Sequence, residues 1–176
     1  AKKVKLIVLA CNTITVFCLE RLRLNFPKIA IVGTVPAVKT AAETTRNKRI
    51  GILSTIATAK SKYQKNLIKK FAKDCLVVNK GDIKLVSYIE KGDTKSEKIK
   101  KILRDSLKEF LAKDVDVIAL GCSHFPFLKE DIGEIMGDRV KILDSGEAIA
   151  RQARRVLENN NNLSLSNISS FTFYTT

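Results

Sequence analysis

Short apolar runs alternate along this chain with longer stretches in which apolar residues recur every three or four positions. The short runs are "VKLIVLA" (4–10), "IAIVGT" (29–34), "RIGILST" (49–55), "CLVV" (75–78), "VDVIALG" (115–121) and "VKIL" (140–143). Their length and β-branched content predict buried strands. The periodic stretches predict amphipathic helices: "TITVFCLERLRLN" (13–25), "PAVKTAAETT" (36–45), "AKSKYQKNLIKKFAKD" (59–74), "TKSEKIKKILRDSLKEFLAKD" (94–114), "PFLKEDIGEIM" (126–136) and "SGEAIARQARRVLENN" (145–160). Pro36 and Pro126 suit the first turn of their helices. "DIKLVSYIEKGD" (82–93) reads as helix, then loop. Strands alternating with amphipathic helices predict an α/β fold of mostly parallel sheets flanked by helices. The end, 159–176, shifts to Asn, Ser and Thr and is expected to be a loosely ordered tail.

Length and composition narrow the classes. With 176 residues and 45% hydrophobic content, the chain can bury one ordinary core or two small ones. No apolar run reaches a membrane span, and no secretory signal is visible, so no membrane partner is expected. The chain opens on Ala, two residues before an apolar strand, which suggests a processed or truncated start. A net charge of +14 invites a nucleic-acid reading. The lysines, however, fall on the polar faces of amphipathic helices, so they read as solvated faces and no nucleic-acid partner is expected. Cys11, Cys18, Cys75 and Cys122 form no CxxC, which points to free thiols in a reducing cytoplasm. Cys18 and Cys75 read as core. Cys122 and His124 alone make no zinc site, and no metal or cofactor is expected.

One internal match carries chemistry. "VKLIVLACNT" (4–13) overlays "VDVIALGCSH" (115–124), so Cys11 meets Cys122 and Asn12 meets Ser123. Each thiol closes a strand, is followed by hydrogen-bonding side chains, and precedes a helix. Strand ends of this kind are where open α/β sheets bind ligands. A helix N-terminus offers free N–H groups and partial positive charge. That is expected to favour thiolate and to hold a carboxylate. Two thiols on opposite faces of one small carboxylate suit removal of a Cα proton from one side and return of a proton to the other. The matched Val, Ile and Leu positions need no more than strand packing.

"LACNT" and "LGCSHFP" resemble the two signature motifs of glutamate racemases, within the aspartate/glutamate racemase superfamily. "VGTVPAV", "IGILSTIATAKSKY", "YIEKGD" and "ILDSGEAIA" are similar as well, and the resemblance covers roughly 4–155. Ser123 and Phe125 stand where the second motif usually has Thr and Tyr. The resemblance implies a cofactor-independent enzyme that interconverts L- and D-glutamate for peptidoglycan. It implies Cys11 and Cys122 as catalytic bases, with His124 and Glu90 as auxiliary acid–base groups. Asn12, Thr13, Ser123 and His124 would bind substrate or orient the thiols. Thr58 would contact substrate or cap a helix, and Glu90 would serve the site or be a solvated loop carboxylate. Asp144 and Glu147 read as a capping box.

The family's architecture implies two lobes: 1–35 in the first, 36–143 in the second, and a returning helix at 144–158. It also implies that the first third is missing, with an Asp-Ser-Gly loop upstream of Cys11, which leaves the first lobe incomplete and its sheet edges unpaired. Turnover by this chain alone is then expected to be weak or absent. A racemase for aspartate or hydantoin, or a non-catalytic remnant that binds a dicarboxylate or a partner, stays open. So does a homodimer.

Overall fold

The computed structural model describes residues 4–166 and 168–174. Among these, six strands form two parallel sheets. Strand β1 (Leu6–Leu9) pairs with β2 (Ala30–Gly33), and helix α1 (Asn12–Asn25) crosses between them. The second sheet has the order β4-β3-β5-β6, from β3 (Arg49–Ser54), β4 (Leu76–Gly81), β5 (Val117–Gly121) and β6 (Lys141–Leu143). Helices α2 (Val38–Thr44), α3 (Ile56–Lys60), α4 (Lys62–Phe71), α5 (Lys84–Glu90), α6 (Glu97–Ala112) and α7 (Lys129–Met136) belong to the crossovers of this part of the chain. Helix α8 (Gly146–Asn159) returns to pack on β1 and β2. No helix among the described residues is long and apolar enough to cross a membrane.

The central strands of the second sheet, β3 and β5, are buried on both faces, which is why they read as nearly unbroken apolar runs. Ile50, Ile52, Val117 and Ala119 face one layer with Val38 and Ala41. Leu53, Ile118 and Leu120 face the other, with Leu103, Leu107 and Phe110 of α6. The alternation follows the period-two pleat. Gly51 leaves room for the Phe110 ring: a Cβ there would lie 2.8 Å from two ring carbons.

Several local expectations shift. The helix expected over 59–74 is broken at Ser61, whose N–H closes α3 on the Thr58 carbonyl while its hydroxyl accepts from the Gln64 amide to cap α4. Pro126 opens a single 3-10 turn, Phe125–Leu128, and α7 follows it. The strand expected at 75–78 runs on to Gly81, because β3 offers it six paired positions. Asp144 and Glu147 form no capping box: Asp144 Oδ1 accepts from the Gly146 amide and Asp144 pairs with Lys129, while Glu147 pairs with Arg151. Cys18 is exposed and so is not core, whereas Cys75 is half-buried and packs against the layer of Ile50 and Ile52. Past Asn162, residues up to 166 and 168–174 carry no helix or strand; the part of the tail expectation that falls on 167, 175 and 176 lies outside the described residues.

Candidate active site

Both thiols sit where a strand ends. Cys11 is the extended N-cap of α1, and its carbonyl accepts from the Thr15 amide. The strand end before it is held by Thr34, whose amide and hydroxyl both donate to the Leu9 carbonyl at 3.2 and 2.7 Å. The Thr34 amide also reaches the Thr15 hydroxyl at 3.1 Å. Cys122 follows β5 directly and is buried, whereas Cys11 is half-buried. Gly121 allows a close approach here: a Cβ on it would lie 2.9 Å from both Pro36 and Ser54.

Around Cys122 the structure builds a short relay. His124 Nδ1 lies 3.8 Å from Cys122 Sγ, and His124 Nε2 lies 3.4 Å from Glu90 Oε1. Glu90 is the last residue of α5, so a carboxylate distant in sequence is delivered to the only histidine. Ser123 is exposed beside them. Around Cys11, Asn12 is buried and its Nδ2 has no protein partner. Thr13 joins a triangle of hydroxyls, 2.9 Å from Thr55 Oγ1 and 3.1 Å from Thr58 Oγ1, with Thr55 and Thr58 3.0 Å apart. This triangle ties the helix that opens at Cys11 to the loop after β3.

Thr58 is therefore not the helix cap. Thr55 is, because its hydroxyl accepts from the Thr58 amide. Thr55 was missed in the sequence, although a Thr one residue ahead of "IATAK" is an N-cap signal. At Cys122 the expected pull toward the thiolate meets an opposing effect. Burial pushes this thiol up, outweighing the His124 and Phe125 amides that favour the thiolate. The charges of Cys11 and Glu90 push it the same way. Only a short 3-10 turn follows Cys122, which presents less dipole than a full helix.

The profile of the Asp/Glu/Hydantoin racemase family matches residues 1–153. This chain belongs to the Asp/Glu/Hydantoin racemase family. It is 39% identical over 157 residues to a glutamate racemase of Ectopseudomonas mendocina, covering 89% of this chain and 60% of that protein. It is 42% identical over 155 residues to one of Shewanella halifaxensis, covering 88% and 58%. The crystal structure of Escherichia coli glutamate racemase with L-glutamate and the activator UDP-MurNAc-ala superposes with a TM-score of 0.80 at 35% identity, over 89% of this chain and 59% of that one. Francisella tularensis glutamate racemase, in complex with D-glutamate, gives 0.79 at 26% identity, over 94% and 61%. This member of the family thus spans about three fifths of the length of the relatives it matches.

Proposed function

We propose that this chain carries glutamate racemase chemistry, run by two thiols without a cofactor and serving the supply of D-glutamate to peptidoglycan. The observation that carries the reading is the pair of strand-end cysteines, with the Glu90–His124 relay behind one of them. One sulfur, as thiolate, takes the Cα proton and becomes a thiol. The opposite thiol gives its proton to the other face of the planar carbanion and becomes a thiolate. Atoms and charge balance, and the stereocentre inverts.

Burial leaves Cys122 resting as the protonated partner. It is therefore ready to deliver a proton to a carbanion that Cys11 has generated. In the reverse direction Cys122 must first lose its proton, and His124 Nδ1 is the nearest acceptor. Glu90, on the far ring nitrogen, stabilises the imidazolium that results. Asn12, with a buried unpaired amide, and Ser123 are the donors proposed for the substrate carboxylate, with Thr13 and Thr58 beside them. In this reading, residues 1–35 with the helix at 144–158 make one lobe and 36–143 the other, and the substrate lies where they meet.

Ile14 and Phe17 on α1 are 50% and 61% exposed, so the Cys11 side is open to water. Turnover by these 176 residues alone is expected to be weak. The decisive test therefore has two readouts. L- or D-glutamate should slow alkylation of Cys11 and Cys122 and leave Cys18 unchanged. Exchange of the glutamate Cα hydrogen in D₂O should vanish in Cys11→Ala and in Cys122→Ala. Glutamate-independent alkylation of both thiols, or exchange that survives Cys122→Ala, would overturn the reading.

A further inference from the structure

The two-stranded sheet has an open edge. Among the described residues, β1 pairs with β2 alone. β2 is sheltered, with Ile31 and Val32 buried, whereas Val8 of β1 is 42% exposed. Edges of this kind are usually guarded by charge or proline. Leu6–Leu9 has neither, and Lys5, next before it, is turned to the Asn162 carbonyl at 3.2 Å. The tail that begins beside that contact has a complementary character. Residues 163–174 hold no Lys, Arg, Asp, Glu, Pro or Gly, in a chain that is 28% charged. Leu163 and Leu165 alternate with Ser164 and Ser166, and Phe171 and Phe173 with Ser170, Thr172 and Tyr174. That is strand patterning. In its own chain these apolar side chains stand in water: Leu165 is 99% exposed, Phe171 82% and Phe173 93%.

An unguarded strand edge and an uncharged, strand-patterned tail suit each other by strand addition, in which main-chain hydrogen bonds give affinity and alternate side chains give specificity. The fold of one copy leaves its own tail in solvent, so the edge that receives it belongs to a second copy. We propose that two copies of this chain exchange tails, Ile168–Tyr174 of each adding as a strand to the open edge of the other copy's β1. The exchange is reciprocal and closes on a two-fold axis instead of running on as a filament. In the resulting sheet, β2-β1-tail-tail-β1-β2, each tail strand lies two strand spacings from its own β1, about 10 Å. The tail leaves the body beside Lys5, and Leu163–Ser166 span up to about 14 Å when extended, enough for that crossing. Phe171 and Phe173 of the two tails bring about 600–800 Å² of apolar surface. With the surface they cover, the contact reaches about 1,200–1,600 Å², the size of a specific dimer interface. The proposal rests on the first sheet and the tail, not on the racemase reading.

Sedimentation velocity of the 176-residue chain across the micromolar range should show monomer in equilibrium with dimer and no larger species. Phe171→Ser/Phe173→Ser should weaken the dimer at least about a hundredfold, the loss expected when two rings are no longer buried. Val8→Lys, which places a charge on the receiving edge, should weaken it at least about tenfold. Phe127→Ser removes a ring that is 67% exposed on the 3-10 turn and should leave the dimer as it was. A mixture of the Val8→Lys and Phe171→Ser/Phe173→Ser proteins should associate more strongly than either alone, because an intact tail then meets an intact edge. A monomer at every concentration would overturn the proposal; if the Phe variants then also unfold at lower urea, the tail sits on its own β1. A dimer indifferent to the tail variants, an equal loss in Phe127→Ser, or assembly beyond the dimer would overturn it too. Circular dichroism of each variant keeps a folding failure from counting as lost association.

Discussion

At the scale of single residues, the two thiols look alike in sequence and differ in their surroundings. The matched motifs placed Cys11 and Cys122 at strand ends, and nothing in them forecast that burial would dominate one. The consequence is a pH profile. A raised pKa means less thiolate at any given pH, so alkylation of Cys122 should keep climbing about tenfold per pH unit beyond about 8.5, where a free thiol levels off. Iodoacetamide rates followed by peptide mass spectrometry from pH 7 to 10 give the profile. A Cys122 plateau below that of free cysteine would contradict the burial argument. Removing the Glu90 charge should act in the same sense as its contribution: Glu90→Gln lowers the Cys122 inflection.

Thr55 makes a different point at the same scale. Its hydroxyl caps α3 and closes the triangle with Thr13 and Thr58. Thr55→Val should cost about 1–2 kcal/mol, the usual loss for a cap, and Thr55→Ser much less. Urea unfolding of the three proteins measures this. The same pair tests the link to Cys11: the Val variant should alter its alkylation rate and the Ser variant should restore it. A Val variant as stable as the parent would mean that the triangle contributes nothing.

At the scale of elements, the central strands were legible because both of their faces are buried and each is a nearly continuous apolar run. The helices were legible where one face is apolar over several turns, as in α6 with Ile99, Leu103, Leu107 and Phe110. What escaped were boundaries decided by single hydrogen bonds. Ser61 splits one periodic stretch into two helices, because its amide ends the first and its hydroxyl begins the second. The length of β4 depends on β3, a partner that local sequence does not name. Gly51 shows the same dependence. Its register sets it beside Val78 and Ile118, directly under the Phe110 ring. Gly51→Ala should therefore destabilise by about 1–3 kcal/mol through overpacking, despite the better strand propensity of Ala. A neutral or stabilising effect in thermal melts would show that Phe110 can move aside.

At the scale of the molecule, the site is assembled from elements far apart in the chain, and two carboxylates away from the thiols tie loops to those elements. Asp116 joins the loop before β3 to β5, and Asp144 joins α7 to the start of α8. Asp144 is held low by Lys129 first and the Gly146 amide second; at Asp116 burial opposes the charge, and the Thr45 hydroxyl with the Arg46 and Asn47 amides holds it low. Both are cases of a folded pKa depressed below the unfolded value of about 3.9. Their contribution to stability is then fully present above that value and disappears as pH falls through the folded values. The chain should hold constant stability down to about pH 5 and lose it steeply below about pH 4, with its net charge of +14 adding repulsion as carboxylates protonate. In Asp116→Asn/Asp144→Asn the acid limb of urea stability against pH should flatten and the neutral plateau drop. An unchanged acid limb in that double variant would mean that other carboxylates carry the transition, and that these two junctions are held by packing alone.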